Sequence, residues 1–279
     1  MARDPTSPAP TIRKKIRSID LGSTARDGVF LLPLLLFGLG FVFSKLVPPF
    51  QGVFNREDPL LRFPYAAEET VNTVILIIVA AVYPAVVLLV WAWWCKFNLK
   101  HMVYTVNAFL LALTWTFFIT YLLQVLTGKF RPDFLDRCKP VRDGNAVGGF
   151  RCTGDEKLVS DGRRSFPSSH ASLTFAGGVF LVLFLYGTMQ AKTRRNAWIL
   201  TFLLGLLVPA LWVAFSRFSD YRNHTEDVIV GFFIGTFFAY LWYTIYFQEP
   251  KPDDGYTHTA PTGAPFIGDG DSRNAAPRL

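Results

Sequence analysis

Three short polar clusters interrupt a mostly apolar chain, and their residue types are those that handle phosphate. The first runs Gln124-Val-Leu-Thr-Gly-Lys129-Phe-Arg131-Pro132-Asp133 and the second Arg164-Ser-Phe-Pro167-Ser168-Ser169-His170-Ala-Ser172. The third is Ser216-Arg217-Phe-Ser-Asp220-Tyr-Arg222-Asn223-His224-Thr-Glu226-Asp227. Arginine is planar, permanently charged and able to bind a phosphoryl group through two parallel hydrogen bonds. A Ser-Ser-His turn that opens a helix aims backbone amides, and the positive end of the helix dipole, at an anion. Histidine ionises near neutral pH and can protonate a leaving oxygen. Taken singly, an arginine beside a membrane is a headgroup anchor and a histidine before a helix is a cap. Three such clusters at three helix ends on one face point instead to a shared site. The four histidines, His101, His170, His224 and His258, are scattered, and no spacing suits a metal ion.

The elements that must position these clusters are membrane spans. Apolar residues make up 51% of the 279 and aromatics 16%, while charged residues fall to 18%, below the roughly 25% of a soluble domain. A helix needs about 20 apolar residues to cross the hydrocarbon core. Six runs qualify, near 28–47, 71–94, 103–126, 172–189, 197–215 and 228–247, which predicts an all-α, six-helix bundle over residues 28–248. Pro33, Pro84 and Pro209 fall inside these runs, where neighbouring helices can satisfy the freed carbonyls. Residues 1–27 form a basic tail and 249–279 a Pro/Gly/Asp-rich tail, both expected to be disordered and cytoplasmic. The basic residues of the first tail, of the 95–102 loop and of the 190–196 loop place those segments in the cytoplasm. All three clusters then face the lumen or the exterior. The net charge of +7 therefore marks topology and anionic lipid, not nucleic acid. Cys138 and Cys152 share an outward loop and are available for a disulfide.

The clusters resemble the type 2 phosphatidic acid phosphatase superfamily, the lipid phosphate phosphatases, which share an active site with vanadium haloperoxidases. The family pattern is Lys-x6-Arg-Pro, then Pro-Ser-Gly-His, then Ser-Arg-x5-His-x3-Asp. The likeness runs through Pro132-Asp-Phe-Leu, Cys152-Thr-Gly-Asp155 and Arg164-Ser-Phe-Pro-Ser. It implies a phosphatase that needs no cofactor and no metal, acting through a phosphohistidine. In that reading Arg131 and Arg217 bind the phosphoryl oxygens, Ser168 and the amides after it, Ser169 included, add hydrogen bonds, and His170 is the general acid. Asp227 would orient the attacking imidazole.

This chain departs from the pattern at three places. Gln124 stands for the family lysine, Ser169 for the glycine and Asn223 for the nucleophilic histidine. An amide cannot form a phosphohistidine. Lys129 is the nearby cation and His224 the nearby imidazole, so the catalytic set reads His170, His224 and Asp227. Tyr221-Arg-Asn-His224 also resembles the phospholipid phosphatase-related branch, which lacks catalytic residues. Two functions follow: a multi-pass phosphatase of phosphatidate, lysophosphatidate or diacylglycerol pyrophosphate in the plasma membrane or an endomembrane, or a relative that binds lipid phosphates or scaffolds partners. Phospholipid and membrane are the expected partners, with a homo-oligomer beside them.

Overall fold

The computed structural model describes residues 31–97, 99–146, 148–189 and 197–247. Both tails and the basic 190–196 loop lie outside the described residues. The described chain is mostly helical: α1 (Leu31–Lys45), α2 (Thr73–Trp94), α3 (Leu99–Thr127), α4 (Phe134–Cys138), α5 (Glu156–Asp161), α6 (Ser169–Thr188), α7 (Ala197–Gly205), α8 (Val208–Ser219) and α9 (Thr225–Tyr246). A two-stranded antiparallel ribbon, β1 (Pro140–Arg142) and β2 (Phe150–Cys152), lies between α4 and α5.

Among the described residues four helices are long and apolar enough to cross a bilayer: Thr73–Trp94, His101–Thr127, Ser169–Thr188 and Thr225–Tyr246. The pair α7 and α8 makes a fifth if its 40° bend is one broken span. The six expected spans are thus four or five by this measure. The first expected run, 28–47, is described only from Leu31, and its described helix α1 spans 15 residues. Its C-terminal end stops at Pro48-Pro49, where proline cannot continue the helical hydrogen bonding. The Arg164 guanidinium covers that end by donating to the carbonyls of Phe43 (2.8 Å) and Val47 (2.7 Å). Pro84 is preceded by a π-turn at Ile78–Val82, which absorbs the missing amide. Pro209 sits in the first turn of α8, where no amide partner is lost.

Helix α6 is the axis of the bundle. It packs on α9, α3, α8, α2 and α7, and 61% of its apolar window is buried against 22% for α9. Where helices meet in lipid, association rests on close backbone approach, and the α6–α9 seam shows it. A Cβ on Gly235 would stand 2.1 Å from the Ser172 carbonyl oxygen, and one on Gly231 2.7 Å from that of Ser168. Farther along, Phe180, Leu181, Phe184 and Leu203 fill the centre of the bundle. Large apolar side chains such as Phe37, Trp93, Trp198 and Phe233 point outward, as lipid-facing residues do. The seam matters for function because it sets the start of α6 against the start of α9.

Candidate active site

The ends of α3, α8, α6 and α9 and the loop before α2 meet at one end of the bundle, and all three clusters meet there with them. Ser168 is the N-cap of α6, its hydroxyl accepting from the Ala171 amide, and its own amide donates to the Asp227 carbonyl (3.0 Å). One turn in, the His170 imidazole hydrogen-bonds to the Val71 carbonyl, while its Nε2 is buried without a partner. The same carbonyl accepts from Arg217 (3.1 Å), so the second and third clusters share one backbone oxygen. Arg217 and Arg131 both act electrostatically on His170. The Nε of Arg131 is also buried and unpartnered. Ser169 contacts the Tyr121 hydroxyl.

Each arginine is matched by a carboxylate. Arg131 pairs with Asp161 through both terminal nitrogens, at 3.0 and 3.2 Å. Asp161 also receives Arg137 at 2.8 Å. Burial works against a charge on Asp161, but Arg131 and Arg137 outweigh it and hold the carboxyl below its ordinary range. Arg217 is 1% exposed and pairs with Glu69 (3.1 Å) and Asp220 (3.2 Å). Arg222 takes the other oxygen of Glu69 at 3.2 Å.

The region where the family's nucleophile belongs is built differently. Asn223 is buried, its amide nitrogen donating to the Ser165 carbonyl and its oxygen accepting from the Ser168 hydroxyl at 3.2 Å. A glycosylation sequon at Asn223-His-Thr225 is therefore turned inward. Gln124, also buried, donates to the Pro167 carbonyl at 2.9 Å. Both altered positions thus hold the loop that carries the second cluster. Asp227 is fully buried and takes the Ser165 hydroxyl, the His224 amide (3.0 Å) and Lys129 (2.8 Å). His224 is the N-cap of α9. Its Nε2 stands 3.1 Å from the Phe130 carbonyl; a carbonyl only accepts, so this nitrogen carries the proton.

The expected residues therefore fall into two groups. His170 and Arg217 share the Val71 carbonyl, and Arg131 acts on both electrostatically, whereas Ser168 joins Asn223 and the Asp227 carbonyl. Asp227 meets the backbone of His224, not its imidazole. Lys129 goes to Asp227 and to Glu226 (2.6 Å), so it does not stand in for the family lysine at the Arg131 end. Burial opposes its charge, but the two carboxylates prevail and raise its pKa. Cys138 and Cys152 form a disulfide that ties the end of α4 to the end of β2. Among the described residues no group of His, Cys, Asp or Glu could hold a metal.

Sequence reading missed Glu69, Thr70 and Val71, which enter from the loop before α2, and Asp161. These residues have no fixed spacing from the clusters; the Glu68-Glu69 pair at the head of an apolar run was the one available signal.

Residues 105–251 match the PAP2 superfamily. The chain is 32% identical over 245 residues to the probable diacylglycerol pyrophosphate phosphatase 1 of Schizosaccharomyces pombe, covering 80% of this chain and 86% of that one. It is 31% identical over 238 residues to the lipid phosphate phosphatase 1 of Arabidopsis thaliana, covering 82% and 70%. It is 33% identical over 167 residues to the phospholipid phosphatase-related protein type 1 of Homo sapiens, covering 52% and 48%. No solved structure matches the chain.

Proposed function

The chain belongs to the PAP2 superfamily, and from that premise we propose that it is a metal-independent lipid phosphate phosphatase. Its substrates are lipids that end in a phosphoryl group: the monoesters phosphatidate and lysophosphatidate, and the anhydride diacylglycerol pyrophosphate, whose leaving group is phosphatidate. The observation that carries this is the unpartnered, buried Nε2 of His170 beside Arg217 and Arg131. Unsatisfied buried polar atoms are rare, and a catalytic role or a missing partner is among the explanations for one. The two guanidinium groups take the phosphoryl oxygens. The His170 Nε2 is bare while the other ring nitrogen donates to the Val71 carbonyl; it takes up a proton with the phosphate monoanion and passes it to the leaving oxygen as the bond to phosphorus breaks. His224 is the imidazole assigned to attack phosphorus, through Nδ1, since Nε2 carries the proton held by the Phe130 carbonyl. Water then cleaves the P–N bond to release phosphate, and Asp227 positions His224 through the helix start rather than through the ring.

The site works on the non-cytoplasmic face of a six-span protein whose two termini are cytoplasmic, with 28–248 as the membrane domain. The support is the basic excess of the opposite loops and the assembly of all three clusters at one end of the bundle.

A second reading, a lipid-phosphate-binding protein without turnover, is favoured by one observation. At position 223 an amide, bonded at both its atoms to the second-cluster loop, stands where the family has an imidazole.

The test is phosphate release from phosphatidate and lysophosphatidate in mixed micelles with EDTA, against His170→Ala. Release that the variant loses supports the phosphatase; no release from folded protein leaves the binding reading. Loss on His224→Ala, with the helix content of α9 retained, assigns the nucleophile.

A further inference from the structure

The loop before α2 puts a carboxylate on Arg217, one of the two arginines that offer a seat to phosphate, and on Arg222 beside it. Glu69 bridges the two guanidinium groups, one oxygen 3.1 Å from Arg217 and the other 3.2 Å from Arg222. Its side chain is 30% exposed, against 1% for Arg217 and 3% for Arg222. It therefore lies on the solvent side of two buried cations, as an incoming phosphoryl group would. Two planar guanidinium groups sharing one carboxylate is also the geometry in which they share two phosphoryl oxygens.

Asp220 contacts the same Arg217 but is differently held. It is buried and takes both the amide (2.9 Å) and the hydroxyl (2.7 Å) of Thr70. Glu69 has no such anchors: among the described residues its side chain hydrogen-bonds to the two arginines alone. The chain on either side is pinned. The Ala66 carbonyl accepts from Arg222 at 2.7 Å. The Tyr65 ring lies against the guanidinium groups of Arg137 and Arg222, at 4.6 and 4.8 Å. The Thr70 contacts hold the other end. Between these points only the side chain of Glu69 has to swing for the seat to open, and Glu68 beside it already faces solvent.

We propose that Glu69 is an intramolecular competitor for the phosphoryl seat, displaced by the substrate phosphate and returning when product leaves. The assignment of the seat rests on the phosphatase reading above. A tethered competitor lowers the affinity of every anion by one common factor, the fraction of time the seat is open. For a protein surrounded by phosphodiester headgroups, that factor keeps weakly bound diesters out and helps inorganic phosphate to dissociate. The contrary role is a brace that holds Arg217 in place, and it predicts the opposite sign.

The experiment is equilibrium binding of inorganic phosphate, and of dioctanoylphosphatidylglycerol as the diester probe, to the full chain in detergent micelles. Glu69→Gln removes the charge, and Glu57→Gln, in the same loop and exposed, is the control. The expected result is that Glu69→Gln tightens both probes in parallel, by roughly fivefold, with the control unchanged. Weaker or unchanged phosphate binding in Glu69→Gln overturns the proposal. Glu69→Asp, still an anion but one methylene shorter, is read in the same way if the glutamine variant does not fold. Absence of phosphate binding in every variant, wild type included, overturns the anion seat itself, a failure distinct from that of Glu69.

Discussion

The two halves of the site differ in what their polar groups are doing. Around Val71, the His170 Nε2 and the Arg131 Nε are buried with no partner, and the paired arginines hold half-exposed carboxylates, Glu69 and Asp161. Around Asp227, the reverse holds. Asn223, Gln124, Ser165, Ser168 and Lys129 are joined to one another, to Asp227 or to loop carbonyls. Buried networks that are fully satisfied rigidify a structure, and those left incomplete mark a place for a ligand. The first half is thus incomplete, as the proposed phosphate seat requires, and the second is closed around Asn223, where the family's nucleophile belongs.

Opening the closed half at its central residue carries the largest expected effect. In Asn223→His an imidazole Nδ1 can donate to the Ser165 carbonyl as the amide does, which leaves Nε2 as a free nucleophile. Loss of a nucleophile costs many orders of magnitude; His224 already supplies an imidazole in the natural chain, so phosphate release is expected to rise by less than that, on the order of 10²-fold. An unchanged rate in folded protein would break the comparison, because the second half would then not be the part that limits chemistry.

The seam between the halves comes next. Gly235→Ala drives a methyl group into the Ser172 carbonyl at 2.1 Å, and backbone, unlike a side-chain tip, cannot step aside. Overpacking of this kind costs about 1–3 kcal/mol or more. Because α6 carries His170 and α9 carries Asp227, phosphate release should fall together with the unfolding temperature in detergent. A variant with normal stability and lost release would show that the seam tunes geometry alone.

Lys129→Met tests the closed half from its edge. It leaves the fully buried Asp227 with the Ser165 hydroxyl and the His224 amide and no cation. An uncompensated buried carboxylate is costly, and the expected loss is about 1–3 kcal/mol, read as a lower denaturation midpoint. Phosphate affinity at the Arg131–Arg217 seat should be unchanged, since Lys129 does not face it. Weaker phosphate binding would mean that the halves are electrically one site.

Sequence carried the bundle and the three clusters because both rest on residue type: apolar length makes the spans, and arginine, serine and histidine at helix ends make the site. It could not place Lys129, since reach depends on where the α3 end comes to lie relative to α9. The i,i+3 spacing of His224 and Asp227 was equally silent on which part of His224 would meet the carboxylate. At a helix start the N3 carboxylate turns back to the N-cap amide, and that local preference wins over contact with the ring. Glu69 and Asp161 were out of reach for the same reason as Lys129: their partners are assembled by the fold, not by spacing.

The smallest effect lies in the open half, at Asp161. Its folded pKa is held below the unfolded value by Arg131 and Arg137, so the folded state favours the ionised form. That contribution to stability is present above the unfolded pKa, about 3.9, and is lost as pH falls through the lower folded value. In Asp161→Asn this acid-side loss should disappear, flattening the stability profile below about pH 4. With 45% of its side chain exposed, solvent screens the pair, and the change at neutral pH should stay under about 1 kcal/mol. The informative reading is phosphate affinity. Releasing Arg131 from its carboxylate should tighten phosphate modestly, if Asp161 acts on Arg131 as Glu69 acts on Arg217. Weaker binding would make Asp161 a brace that aims the guanidinium, and the open half would then owe its shape to one fixed carboxylate and one movable one.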